Sequence, residues 1–198
     1  MKADHVVDYY DWKALGKASV VGGSFGHISV ALAKHAPELT FTVQDLPETV
    51  EKGKALFDDM ILDDTVRQRI RFEPYNLNDT QPATGADVYF FRTIFHNWPK
   101  IHCVRFLKNL VPALKPGAKI LTNEIVLRRP GALTAWDSRI AHNMEINMIT
   151  MFNAVERTDD EWRDTFTLAD SRFEVVAFRN PKECEGNLFA IVEAVWKA

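Results

Sequence analysis

Three titratable side chains stand where they could move a proton. His96 comes just after the apolar run ADVYFF at residues 86–91, and a histidine titrates near pH 6.5, so it can accept a proton at neutral pH. Glu124 lies inside the apolar run KILTNEIVL, where a charge is costly unless it is paired. Glu156 lies in NAVERT, at a helix break before Thr158. If both glutamates converge on His96, they would orient its ring and stabilise its protonated form. The alternative is a buried ion pair and an ordinary surface glutamate.

A glycine-rich loop near the start of the chain could hold a cofactor. In VVGGSFGHIS, Gly22, Gly23 and Gly26 would let the backbone approach a ligand closely, and the helix that follows would point free N–H groups at it. Asp45 comes 19 residues after Gly26, near the spacing at which a carboxylate holds the two hydroxyls of a ribose. Both NAD and S-adenosylmethionine contain that ribose. The loop lacks the G-x-G-x-x-G spacing that suits a pyrophosphate, and this disfavours NAD. The alternative is a tight turn that holds no ligand.

Alternating apolar runs and helical patterns predict the elements that must position these residues. Strands are predicted at 18–22, 39–44, 69–73, 86–91, 118–127 and in two closing runs around Gly186, and helices at 26–36, 48–60, 99–115, 135–153 and 158–169. This alternation predicts βαβ crossovers and a mostly parallel sheet covered on both faces. Ligands of such sheets bind at the carboxyl ends of the strands, which is where the glycine loop, Asp45 and His96 are placed. Thr158 and Glu161 also fit a helix-capping box.

Composition limits the other possibilities. A chain of 198 residues with 46% hydrophobic and 26% charged residues is typical of one globular domain. A net charge of -3 gives no reason to expect a nucleic-acid or membrane partner. No apolar run approaches the about 18 residues that span a bilayer, and the N-terminus has no apolar signal core. Two isolated cysteines, Cys103 and Cys184, favour a reducing compartment, so we expect a cytoplasmic protein. No spacing of histidines, cysteines and carboxylates predicts a metal site.

With these residues in view, the chain resembles the catalytic domain of the plant-type and fungal small-molecule O-methyltransferases, which use S-adenosylmethionine. Four stretches carry the likeness in the family's order and spacing: VVGGSFGHISVALAKHAPELTFTVQDLPETV, GADVYFFRTIFHNWP, CVRFLKNLVPALKPGAKILTNEIVL and NAVERTDDEW. The resemblance implies a Rossmann-like class I methyltransferase sandwich of the α/β class. Its mostly parallel seven-stranded sheet would end in an antiparallel hairpin. Residues 1–198 would form one domain, with residues 1–17 as a helical lead-in.

The resemblance also implies roles for individual residues. His96 matches the general base, and Glu124 and Glu156 match the two glutamates that flank it. The cofactor site is assigned to the glycine loop and to residues at the strand ends, namely Gly22, Gly23, Gly26, Asp45, Leu46, Asn76, Leu77 and Arg92. His96 would take the proton of a phenol or enol while the oxygen of that substrate attacks the sulfonium methyl group. This reaction needs no metal.

The substrate is expected to be a small aromatic or polyketide-like molecule. Its pocket is assigned to Trp98, Met144, Met148 and Phe152, because thioethers adapt to flat aromatic ligands and the family's methionine at the place of Met148 faces the substrate. The alternative is that the methionine stripe is simply helix core.

Three positions depart from the family, and each replaces an acidic residue by a neutral one. They are Val20, Asn76 and Asn97. These departures favour a second hypothesis, an enzyme on the same scaffold that no longer methylates and performs pericyclase- or cyclase-type chemistry.

A third hypothesis is a non-catalytic partner subunit. The family's N-terminal dimerisation domain closes the site, and this chain starts just before the first strand. We therefore expect a homo-oligomer or a partner chain that supplies the lid. Exposed apolar surface near Tyr9, Tyr10 and Trp12 would invite such a chain.

Overall fold

A computed structural model describes residues 4–60, 63–129, 131–179 and 188–198 of the protein. Its strands within these ranges are β1 (Lys17–Val21), β2 (Thr40–Asp45), β3 (Ile70–Pro74), β4 (Val88–Arg92), β5 (Lys119–Leu127), β6 (Arg157–Thr158), β7 (Phe173–Arg179) and β8 (Phe189–Trp196). Its α-helices are α1 (Asp4–Asp8), α2 (His27–His35), α3 (Pro47–Met60), α4 (Asp64–Arg67), α5 (Lys100–Leu110), α6 (Ala135–Phe152) and α7 (Asp159–Ala169). None of these helices is long and apolar enough to cross a lipid bilayer.

Seven of the strands form one sheet in the order β3-β2-β1-β4-β5-β8-β7, and the two-residue β6 pairs with β5 beside it. The first five strands of this order run parallel, and β8 pairs antiparallel with both β5 and β7. The predicted mostly parallel seven-stranded sheet with a closing hairpin is therefore confirmed. The chain leaves β1 toward β2 on one side and returns to β4 on the other, so the carboxyl ends of β1 and β4 form the crevice where doubly wound sheets bind ligands.

The central strands β4 and β5 are buried on both faces of the sheet. Successive residues of a strand point to opposite sides, so each of these strands contributes to two cores. In β4, Tyr89 and Phe91 join the core that also contains Trp162. Val88 and Phe90 join the core on the other face. A strand buried on both faces reads as a continuous apolar run, which is the pattern that β4 shows in the sequence.

Tyr10 and Trp12 are buried, so the expectation of exposed apolar surface at these residues is wrong. Trp12 is fully buried, donates its indole N–H to the carbonyl of Val6 at 2.8 Å and packs edge-on against Phe90. The hydroxyl of Tyr10 donates to Glu193 at 2.9 Å. Because the lead-in folds back onto the sheet and both polar groups are hydrogen-bonded, Tyr10 and Trp12 belong to the hydrophobic core.

The predicted elements are found, with boundaries that differ by a few residues. The clearest difference is at the helix predicted over 99–115, which ends at Leu110 and continues as a 3-10 turn, Val111–Ala113. Pro112 explains the change, because proline has no N–H to donate to the preceding turn and its ring crowds that turn's carbonyl. The capping box of Thr158 and Glu161 is confirmed at the start of α7. The predicted turn around Gly186 lies outside the described residues.

Candidate active site

His96 lies in a 3-10 turn, Phe95–Asn97, directly after β4. Its side chain is buried, and its Nδ1 atom is 3.0 Å from Oε1 of Glu156 and 3.9 Å from Oε2 of Glu124. The structure therefore brings together the three titratable residues that the sequence singled out. Nε2 of His96 forms no hydrogen bond with any residue that the structure describes. Both glutamates act on one side of the ring and leave its other nitrogen available.

Glu124 holds the backbone of the turn that carries His96. The residue lies within β5 and is fully buried. Its Oε1 atom accepts the N–H groups of Ile94 at 2.9 Å and Phe95 at 2.8 Å. Oε2 accepts no hydrogen bond from the described residues. Burial raises the pKa of Glu124 to about 7, although the charge of His96 and the two amides oppose this shift.

Glu156 reaches the site because the two-residue β6 pairs with the carboxyl end of β5. Helix α6 ends at Phe152 and is capped by Asn153, which adopts a left-handed conformation with φ 51°. The chain then turns back, and Arg157 pairs with Val126 of β5. Glu156, the residue before this pair, is thereby placed beside His96 and is buried. The interpretation of Glu156 as an ordinary surface glutamate is excluded.

Together, burial and the neighbouring charges raise the pKa of His96 above its usual value. Burial alone lowers the pKa, because it disfavours the charged ring. The hydrogen bond to Glu156 and the negative charges of Glu124 and Glu156 outweigh burial, and the positive charge of Arg157 opposes them only in part. The two glutamates therefore stabilise the protonated form of His96 relative to the neutral ring.

The glycine loop after β1 lies against the turn that carries His96. Gly22 has φ +68°, and a Cβ atom at this position would overlap the side chain of Ile94, so only glycine permits this approach. The N–H groups of Gly22 and Gly23 donate to the carbonyl of Gln44 at 2.8 and 3.1 Å. Gly26 has φ +80° at the start of α2. The loop is thus fixed to the carboxyl end of β2.

Asp45 ends β2 beside this loop and is partly exposed. Its Oδ2 atom accepts the N–H of Ser24 at 2.9 Å, and its Oδ1 atom accepts the N–H of Leu46 at 2.8 Å. Each carboxylate oxygen can accept a second hydrogen bond. Asp45 can therefore still bind a diol.

The other residues assigned to the cofactor lie at the ends of neighbouring strands. Leu46 is exposed, and Leu77 packs partly buried against the core. Asn76 uses its Oδ1 within its own turn, where it accepts the backbone and side-chain N–H groups of Asn78 at 3.0 Å. Arg92 donates from Nε to Asn123 at 3.1 Å, and burial lowers its pKa.

An open groove of about 800 Å³ lies beside residues 94–98, the turn that carries His96. Trp98 and Phe152 are among its lining residues, together with Asn97, Ile149 and Met151. Of the residues predicted to bind substrate, Met148 is buried and neither Met144 nor Met148 lines this groove. The alternative of helix core therefore fits Met148, whereas Met144 is half-buried and Met151 is 70% exposed. The assignment of Met144 and Met148 to the substrate pocket stays a prediction. Met151, on the exposed side of α6, contributes the thioether of the groove.

Sequence reasoning missed Arg157. This residue is 2% exposed and donates to the carbonyls of Phe95 at 2.9 Å and Trp98 at 2.7 Å. The sequence offers one indication of its role, which is that Arg157 directly follows Glu156, a glutamate that the sequence had already placed near His96.

Within the described part of the chain, no group of three or more histidines, cysteines and carboxylates could hold a metal ion. Cys103 is free and buried, and Cys184 lies outside the described residues.

The sheet order, the glycine loop after β1 and the histidine cluster after β4 define the class of protein, a class I methyltransferase fold. Human N-acetylserotonin methyltransferase in complex with SAM shares this fold with a TM-score of 0.81 at 23% identity, over 99% of this chain and 52% of that one. An O-methyltransferase from neocarzinostatin biosynthesis, solved with SAM and 2-hydroxy-5-methyl naphthoic acid, gives a TM-score of 0.80 at 24% identity, over 98% of this chain and 52% of that one.

The chain belongs to the O-methyltransferase family, since a model of the O-methyltransferase domain matches residues 1–171. It is 39% identical to a chlorophenol O-methyltransferase of Trichoderma longibrachiatum over an alignment of 199 positions, which covers 98% of this chain and 41% of that protein. It is 41% identical to the O-methyltransferase aoiF of Aspergillus oryzae over an alignment of 194 positions, which covers 96% of this chain and 45% of that protein. The chain spans less than half the length of these curated relatives.

Proposed function

We propose that the protein transfers a methyl group from S-adenosylmethionine to a hydroxyl of a small phenolic or enolic molecule, with His96 as the general base. The observation that carries this proposal is the contact of 3.0 Å between Nδ1 of His96 and Glu156. This contact fixes the ring and leaves Nε2 to receive a proton. We also propose that residues 1–198 form one catalytic domain.

The residues at the carboxyl ends of β1 and β2 fit S-adenosylmethionine. Asp45 keeps one acceptor position on each oxygen, as the two ribose hydroxyls require. The glycine loop presents backbone in a conformation that side chains rarely adopt and allows close approach. Gly22, Gly23, Gly26 and Asp45 would hold the cofactor, with Leu46, Asn76, Leu77 and Arg92 around it. The cofactor supplies an electrophilic methyl group.

The residues of the chain then have to bind the acceptor and remove its proton. A phenol has a pKa near 10, so its oxygen needs a base at neutral pH. His96 would take this proton on Nε2, while Glu156 accepts the N–H of Nδ1 and balances the positive charge that develops on the ring. Glu124 would hold the turn in place through its backbone. The relative named for chlorophenol and the neighbour solved with a hydroxynaphthoic acid support a phenolic acceptor in the groove of Trp98 and Phe152.

A second candidate is an enzyme of the same fold that uses His96 as an acid or base without transferring a methyl group. The state of Asn76 favours it, since the oxygen of this side chain is engaged within its own turn. Val20 also replaces a family carboxylate by an apolar residue. The partner-subunit hypothesis loses the support of an exposed surface at Tyr10 and Trp12, because both residues are buried, and it otherwise stays a prediction. A homo-oligomer or a lid from another chain stays a prediction.

The two candidates are separated by one assay on the purified protein. The protein is incubated with methyl-labelled S-adenosylmethionine and a panel that includes chlorophenols and hydroxynaphthoic acids. Mass spectrometry follows S-adenosylhomocysteine and methylated product. Transfer of label to a phenolic oxygen is expected. Calorimetry with S-adenosylmethionine and S-adenosylhomocysteine runs in parallel. Binding without transfer to any acceptor would favour the second candidate, and no binding up to millimolar cofactor would contradict the methyltransferase proposal.

The rate of methyl transfer is expected to rise with pH through the ionisation of the His96 cluster, because only the neutral ring accepts a proton. The pKa of His96 is raised, so the wild-type midpoint lies above pH 6.5. Glu156→Gln removes the negative charge and lowers this pKa, which moves the midpoint to lower pH. The plateau falls about ten- to a hundredfold, for one lost charge-assisted hydrogen bond. Measuring kcat from pH 5 to 9 checks both effects.

Glu145→Gln is the matched control, since Glu145 pairs with the exposed His142 at 3.3 Å. It should keep the wild-type profile. Because Glu124 has a pKa of about 7, the midpoints belong to the cluster and not to His96 alone. An unchanged profile in Glu156→Gln would contradict the role given to Glu156.

A further inference from the structure

We infer that Arg157 is a positioning residue for His96, which it serves by clamping the carbonyls of the turn that carries the histidine. The inference rests on the proposed function for its role in catalysis, but the clamp itself can be tested without any activity. The turn spans residues 94–98 and is called here the His96 turn.

The His96 turn is held from two sides by groups of opposite charge. Glu124 accepts N–H groups at its start, from Ile94 and Phe95. Arg157 donates to carbonyls on both sides of His96, those of Phe95 and Trp98. A carboxylate on the N–H groups and a guanidinium on the carbonyls is the arrangement that matches the backbone dipoles of the turn.

The turn needs such external support because it is too short to hold itself. It is a single 3-10 turn. Its own backbone hydrogen bonds run from the N–H of Asn97 to the carbonyl of Ile94 at 3.2 Å and from the N–H of Trp98 to the carbonyl of Phe95 at 3.1 Å, both at the long end of the usual range. A 3-10 turn has poorer hydrogen-bond geometry than an α-helix. The planar fork of an arginine can reach two carbonyls at once, which the single ammonium of a lysine cannot do with the same geometry.

Arg157 is also tied to its own surroundings. Its guanidinium lies 3.2 Å from Sγ of Cys103 and 5.5 Å from the ring centre of Trp162. A cation buried to this degree is costly unless it is well paired, and backbone carbonyls supply most of its partners. Contacts with α5 and α7 therefore fix the position of this β6 side chain. Its fixed guanidinium in turn limits the movement of the His96 turn.

Glu156 and Arg157 are neighbours in the sequence, so the contacts of Arg157 also set the position of Glu156 relative to His96. Glu156 holds the ring of His96, and Arg157 holds the backbone beneath it. The clamp therefore fixes the distance between the turn and the segment that carries the glutamate. A shift of about 1 Å in such a pair costs about a hundredfold in rate.

The groups that face His96 come from several elements. They are Glu124 from β5, Glu156 ahead of β6 and Arg157 from β6, with Cys103 of α5 behind the arginine. Burial raises the pKa of Cys103 to about 11, so its thiol does not titrate in the working range. A substitution that keeps the charge of Arg157 but removes its fork isolates positioning from electrostatics.

Arg157→Lys is that substitution. We expect kcat to fall about ten- to a hundredfold, with the KM for S-adenosylmethionine within about twofold of wild type. In the protein without substrate, NMR titration of labelled histidine should show the pKa of His96 moving down, because the ring loses its fixed contact with Glu156. The His96 signal is assigned by its absence in His96→Asn.

Arg163→Lys is the matched control. Arg163 also donates to a backbone carbonyl, that of Val175 at 2.8 Å, and also lies over an aromatic ring, that of Phe178, but it does not contact the His96 turn. It should leave kcat and the His96 titration unchanged. Circular dichroism establishes that both variants are folded.

Arg157→Lys with wild-type kcat, or with an unchanged His96 titration, would overturn the inference. If wild type itself transfers no methyl group, the proposed function fails while the titration still decides the role of Arg157. If the lysine variant does not fold, Arg157→Met fills the same space without a buried charge. That variant is expected to lose at least tenfold in kcat, and a loss of less than twofold would overturn the inference.

Discussion

His96→Asn is expected to lower kcat for methyl transfer by about 10²- to 10⁴-fold, the range for loss of a general base. Asparagine cannot accept the proton of the hydroxyl at neutral pH, but its amide can still donate to Glu156, so the buried carboxylate keeps a partner. Affinity for S-adenosylmethionine should stay within about twofold, since the glycine loop and Asp45 are not altered. Single-turnover rates and calorimetry on the same preparation measure both quantities.

His142→Asn provides the control for this variant. His142 lies on the exposed side of α6, 61% exposed in its side chain, and should not change kcat. Equal rates for His96→Asn and wild type would show that the acceptor loses its proton without His96. The base would then have to be sought elsewhere in the cluster.

Glu124→Leu is expected to destabilise the protein by about 2–4 kcal/mol. Leucine removes the acceptor of two backbone N–H groups, those of Ile94 and Phe95, and each buried donor left unpaired costs about 1–3 kcal/mol. Relief from burying the carboxylate offsets part of this loss, because burial already disfavours the charged form of Glu124. Urea unfolding at pH 7 measures the change in the free energy of unfolding.

Glu124→Gln separates the backbone role of this residue from its charge. Glutamine keeps an oxygen in reach of both amides, so its free energy of unfolding should lie within about 1 kcal/mol of wild type. If the leucine and glutamine variants are equally stable, the two amides find other partners, and Glu124 does not hold the His96 turn.

The order of strands and helices could be predicted because the central strands are buried on both faces. Runs such as VYFF in β4 and KILTNEIVL in β5 leave little choice of structure, and the glycine and proline signals between them mark the turns. Short elements escaped prediction. Helix α4 has four residues and β6 has two, and neither length is enough to establish a period. Their existence depends on tertiary contacts, as β6 depends on pairing with the last residues of β5.

The candidate site was predictable in its members but not in its contacts. Glu124 and His96 attract attention because polar side chains in or after apolar runs need partners. Which oxygen faces the ring, and that Glu124 holds backbone amides, depends on the geometry of the His96 turn. Arg157 was missed because arginines are usually exposed, and nothing local indicates that two carbonyls lie within its reach.

The error at Tyr10 and Trp12 has a similar cause. A lead-in rich in aromatic residues can cover either its own domain or another chain, and sequence does not distinguish the two. Here a buried partner, Glu193 of β8, lies 183 positions away from Tyr10. Such a distant pairing leaves no periodic signal.

The neighbouring placement of Glu156 and Arg157 limits how this protein can be changed by insertion or deletion. Removing one residue from the connection between α6 and β6 would move a guanidinium to the place of the carboxylate beside His96, so the ring would meet a charge of the wrong sign. The length of this connection is therefore under stricter constraint than most of its side chains. By contrast, Trp136, Ile146 and Met151 project outward from α6 with more than half of their surface exposed. Laboratory evolution of acceptor range should therefore find its tolerated changes as substitutions on that face of α6.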